Sequence, residues 1–134
     1  MKKRLLAMFA LAPAVALAGA RVDCHTAYFG DSRIVSAGPT AQPYTVAPVA
    51  FERDFLFRLV LRTRPADEAG VTVAVYTPTA DGPAMIQQAS YPWPPGGGRT
   101  HGFTGLQRVF EPVGDAELTY WCEALPGRTR GARR

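Results

Sequence analysis

Strict period-two alternation, cut into short runs by proline and glycine, limits this chain to β architecture. In residues 54–63, Phe55, Phe57, Leu59 and Leu61 fall on one side, and Leu56, Arg58, Val60 and Arg62 on the other. Successive side chains of a strand point to opposite faces, so this run is a half-buried strand. Val71, Val73 and Val75 alternate with Thr72, Ala74 and Tyr76 in a second run. Between the two, Arg64-Pro-Ala-Asp-Glu-Ala-Gly70 carries the turn residues of a hairpin. Thr77 to Pro83 reads as the next turn and Met85 to Tyr91 as a third strand. Leu106–Glu111 and Glu117–Glu123 form a late hairpin around Pro112-Val-Gly-Asp115. No stretch after the first twenty residues sustains a 3.6-residue period, and twelve prolines and thirteen glycines punctuate the chain. The expected fold is all-β, a small antiparallel β-sandwich of seven or eight short strands in a single domain. An immunoglobulin-like strand order and a small barrel are the alternatives that spacing leaves open.

The N-terminus carries a different kind of signal. Met1-Lys-Lys-Arg4 is basic, Leu5 to Leu17 is apolar, and Ala18-Gly-Ala20 supplies small residues. That three-part plan is a bacterial-type secretory signal, expected to be cleaved after Ala20. The apolar run is shorter than the roughly 20 residues a spanning helix needs, and no other long apolar run occurs. No transmembrane segment is therefore expected. A lipoprotein signal would place cysteine directly after the small residues, whereas Cys24 follows Asp23. The domain is expected to span 21–125, with a disordered, arginine-rich tail over 126–134, in the periplasm or secreted.

Cleavage would leave 114 of the 134 residues, enough for one modest core. It would also remove both lysines, leaving 12 arginines against 11 acids. Four of those, Arg128, Arg130, Arg133 and Arg134, lie in the last seven residues. They offer at most weak, salt-sensitive contact with an anionic surface. The remaining body is mildly acidic, which argues against nucleic acid as a partner.

Two cysteines in an exported chain suggest one disulfide, Cys24–Cys122, between the first and last strands. Parity supports it. Val22, Cys24, Thr26 and Tyr28 share one face, as do Leu118, Tyr120 and Cys122. The opposite faces carry Asp23, His25 and Phe29, and Thr119, Trp121 and Glu123.

Chemistry-bearing patterns are sparse. The histidines are His25 and His101, short of the donors a zinc site takes once the cysteines are bridged. Ser32, Ser36 and Ser90 lack the Gly-x-Ser-x-Gly setting of a nucleophile elbow. Cys24 and His25, as strand neighbours, point to opposite faces. Gly96-Gly-Gly-Arg-Thr100 is not a phosphate loop. No catalytic residue, metal or cofactor is assigned. The most distinctive stretch is 91–105, Tyr-Pro-Trp-Pro-Pro-Gly-Gly-Gly-Arg-Thr-His-Gly-Phe-Thr-Gly. Its candidate binding residues are Tyr91, Trp93, Arg99, His101 and Phe103, although Trp93 and Phe103 could equally fold back over one end of the sandwich. These features lead to an expectation of an exported, non-enzymatic binding or accessory protein of the bacterial envelope, recognising a protein or glycan partner. A small hydrolase inhibitor acting through the 91–105 loop, and a metal-dependent enzyme using histidine and carboxylates, are the competing readings.

Overall fold

A computed structural model of the protein describes residues 19–97, 100–125 and 127. Nearly all of the expected signal segment, the arginine tail and Arg99 lie outside the described residues. Among the described residues, eight strands form: β1 (Arg21–Tyr28), β2 (Asp31–Ala37), β3 (Val49–Phe51), β4 (Phe55–Arg62), β5 (Gly70–Thr79), β6 (Gly82–Pro92), β7 (Gln107–Phe110) and β8 (Glu117–Leu125). They make two antiparallel four-stranded sheets, sheet A in the order β2-β1-β8-β7 and sheet B in the order β3-β4-β5-β6. The small antiparallel β-sandwich expected from alternation is the observed architecture.

Within each sheet, neighbours are consecutive in the chain, except β1 and β8, which join its two ends. Going round the sandwich, the strands therefore follow chain order. The arrangement is that of an up-and-down barrel flattened along two seams, β2/β3 and β6/β7. It differs from the Greek-key order of immunoglobulin domains, because the strands of each sheet hairpin directly onto their successors. The chain changes sheet between β2 and β3 and between β6 and β7. At the first crossing, Thr40 N donates to Leu61 O at 3.0 Å, tying the connection to β4.

Alternation places the core as expected. Phe55, Phe57, Leu59 and Leu61 of β4, Val71, Val73 and Val75 of β5, and Leu118, Tyr120 and Cys122 of β8 are buried together with Val22, Cys24 and Tyr28 of β1. Each fully buried large apolar side chain contributes roughly 1.5–3 kcal/mol. The Cys24–Cys122 disulfide forms between directly paired residues of neighbouring strands, with Cα atoms 4.0 Å apart. It thus staples one sheet internally.

Two details differ from the pattern reading. Residues 77–83 do not form a long turn: β5 runs to Thr79 and β6 starts at Gly82, with Pro78 opposite Pro83. The prolines are tolerated because β4 pairs with β5 only as far as Tyr76, so this end is two-stranded. Strands β2 and β3 lie where alternation makes no assignment. In β2, Val35 is the one buried residue, so no apolar period marks it.

Three tyrosines hold their protons more tightly than the ordinary value of 10. A hydrogen bond to Asp54, with burial second, pushes Tyr28 up to about 12. Burial raises Tyr91. Burial, then the neighbouring Tyr91, raises Tyr120. Because the folded values lie above the unfolded one, the stabilisation is complete below pH 10. It falls as pH rises, where the unfolded chain loses protons first. Urea midpoints are expected to be unaffected by these groups in the neutral range and to drop above pH 10. The tyrosinate absorbance of these residues should then appear together with unfolding.

Candidate functional site

The register of β1 against its neighbours builds a surface on the outer face of sheet A. Cys24 pairs with Cys122, so His25 lies opposite Trp121, with Ile34 of β2 on its other side. The next outward row is Ser32, Ala27 and Thr119. Tall side chains in one row and small ones in the next leave a groove across the strands. It has a volume of about 550 Å³ and is also bordered by His101 and Leu106. That volume is in the range of small-ligand sites.

The tall row is an aromatic stack. The His25 and Trp121 rings lie 3.9 Å apart, with planes 8° from parallel. His101 meets Trp121 edge-on at 5.9 Å. The far edge of the His25 ring is held by Glu123, with Nε2 3.2 Å from Oε2. Asp23, which shares a strand face with His25, is engaged elsewhere. It pairs with Arg21 at 2.9 Å and accepts from the Ser36 hydroxyl at 2.7 Å. The carboxylate partner of His25 is therefore on the neighbouring strand, two residues past Trp121.

His101 arrives from the long β6–β7 connection, and the backbone explains how. His101 and Gly102 adopt positive φ, +65° and +61°. The following residues dock on β8: Phe103 N donates to Cys122 O at 3.0 Å, and Cys122 N donates to the Thr104 hydroxyl at 2.9 Å. Thr104 is buried and its hydroxyl donates in turn to Gly105 O. Gly102 lies so close to β8 that a Cβ there would fall 2.0 Å from Cys122 O. Gly102-Phe-Thr-Gly-Leu106 is thus a docking segment that fixes His101 beside Trp121. His101 and Trp121 also border a second groove of about 340 Å³, shared with Gly96, Phe103 and Glu123. They form the ridge between the two grooves.

The residues singled out in the loop part company in space. Tyr91 belongs to β6 and meets Phe103 edge-on at 5.1 Å. Tyr91, Trp93 and Phe103 all pack, partly buried, against the core. Arg99 lies outside the described residues. Of the four described, His101 alone joins the sheet-A surface as an exposed side chain. Its companions His25, Trp121 and Glu123 come from strands. The signal for them was parity combined with the disulfide: bridged and paired, Cys24 and Cys122 place His25 opposite Trp121. Among the described residues, no three of His, Cys, Asp and Glu are grouped to hold a metal ion. No helix among them is long and apolar enough to cross a membrane.

No family model, curated protein or solved structure matches the chain.

Replacing Gly102 by Ala is expected to cost about 2–3 kcal/mol, from the contact with Cys122 and the positive φ. Gly97→Ala, with open space around it, should cost much less. Urea unfolding checks the difference. Trp121 fluorescence should change in the folded G102A protein if His101 is displaced.

Proposed function

We propose that this chain is an exported binding protein of the bacterial cell envelope, and that the outer face of sheet A is its recognition surface. The observation carrying the reading is the groove beside the Ile34–His25–Trp121 row, completed by His101 from a docked loop. Its chemistry favours a glycan. Aromatic rings offer apolar faces and edges, Ser32 and Thr119 supply hydroxyls along the floor, and His25 and Glu123 hold each other in place. Export is supported by the basic-apolar-small N-terminal pattern and by a disulfide joining the two cysteines.

One observation favours a protein partner instead. Ile34, Leu106 and Phe110 are exposed on or beside sheet A, at 56%, 44% and 61%. Apolar side chains collected on one face mark protein contacts. The inhibitory reading draws less support, since the aromatic residues of 91–105 pack against the core.

Binding of purified native protein to a glycan panel, measured by titration calorimetry, is the test. Trp121→Ala should weaken the interaction by about tenfold or more. Trp93→Ala should lower stability while leaving the affinity of the folded protein unchanged. No binding across the panel, together with a purified partner protein whose binding is lost on Ile34→Asp, would replace the glycan by a protein. Export has its own check. The intact mass from the native host should correspond to a chain starting at Arg21, with both thiols protected from alkylation until reduction.

A further inference from the structure

We infer that the free edge of β6 pairs with the same edge of a second copy of this chain, antiparallel about a two-fold axis. β6 ends sheet B and, among the described residues, pairs with β5 alone. With 11 residues it is the longest of the eight strands. The other three sheet edges are blunted. β3 and β7 have three and four residues, and β2 carries Asp31 and Arg33. Short edges and charged side chains protect against pairing with another chain, as do edge prolines and bulges, of which β6 has Pro83, Pro92 and the irregularity at Ile86. Gly82-Pro-Ala-Met-Ile-Gln-Gln-Ala-Ser-Tyr-Pro92 contains no charged residue.

That neutrality suits a second copy of the same strand. Antiparallel pairing about a two-fold axis brings a strand against itself, so any charge near the axis meets its own copy. β6 has no charge to repel. Its outward amide, Gln88, is exposed and opposite Ala74 of β5. One amide both donates and accepts, so it is complementary to another Gln88 or to Ser90 of the second copy. A bulge at Ile86, where Val75 pairs with Gln87 and Tyr76 with Met85, splits the strand into 82–85 and 87–92, and with Pro83 and Pro92 lacking an amide hydrogen the longer stretch able to pair is Gln87–Tyr91. The dimer is consequently weak and concentration-dependent. The seam beneath it also gains cover. Gln87, Ala89 and Tyr91 face inward but remain partly exposed, because the four-residue β7 spans little of β6. The pairing uses none of the residues of the sheet-A groove.

Sedimentation of the native protein across a concentration series tests this, with hydrogen exchange locating the contact. A monomer–dimer equilibrium is expected between about micromolar and about millimolar protein. Backbone amides within 87–91 should gain protection as concentration rises. Gln88→Lys and Ser90→Lys, both at exposed outward positions, should each weaken dimerisation by about tenfold with unchanged urea midpoints. A protein that stays monomeric to millimolar concentration overturns the inference. So does a dimer whose strength ignores both lysines, or whose added protection falls outside β6.

Discussion

The pairing of β1 with β8, locked by Cys24–Cys122, is the constraint on which the rest of the molecule depends. The other strand pairs within each sheet are hairpins, closed over short loops. This pair joins segments 98 residues apart, so its closure carries the largest chain-entropy cost. The chain-entropy model gives about 4.7 kcal/mol for a bridge across a loop of this length, comparable with the whole net stability of a small domain. Placing the bridge at a directly opposed pair does more than close the ring. It fixes register, and in a sheet register decides which side chains share a face. With Cys24 against Cys122, Val22, Thr26, Leu118 and Tyr120 must turn inward, while His25 and Trp121 must stand side by side outside.

The second support of the site acts on the same residue from the other direction. The backbone of Cys122 accepts from Phe103 and donates to Thr104, so the β6–β7 connection docks where the disulfide anchors β8. Only a residue without Cβ allows that approach at Gly102. A long proline- and glycine-rich connection thereby delivers His101 to a defined place. Tyr91, Trp93 and Phe103 serve this docking as apolar ballast against the open end of the core. The histidine that reaches the surface and the aromatics that stay behind are parts of one arrangement.

Much of this was legible in residue order. The inward faces of β1, β4, β5 and β8 follow from alternation, because apolar residues recur at every second position along each inward side, although Asp23, Val60 and Ala74 on the outward sides are buried as well. The disulfide follows from count and parity. The outer-face site was legible only in pieces: Trp121 and Glu123 on one strand, His25 on another. No local spacing connects residues 25 and 121, and register supplies the connection. Strand β2, which contributes Ile34 and Ser32, escaped because an edge strand with a single buried residue has no apolar period to detect. The loop misleads for a related reason. Composition identifies Tyr91, Trp93 and Phe103 as aromatic without saying which side of the backbone faces the core.

The two sheets are unequal on their outer sides. Val60 of β4 and Ala74 of β5 point away from the sandwich interior, yet are 6% and 3% exposed. The connection leading into β3 runs beside β4, and Arg58 donates to the carbonyls of Val46 and Pro43. One polar side chain thus ties the crossing segment to the outside of sheet B. The outward residues of sheet A include exposed Ile34 and partly exposed His25 and Trp121, set beside small neighbours that leave space between them. A domain this small must leave some apolar surface in water. On sheet A the exposed Ile34 and Phe110 stand on the same outward face to which the disulfide register turns His25 and Trp121.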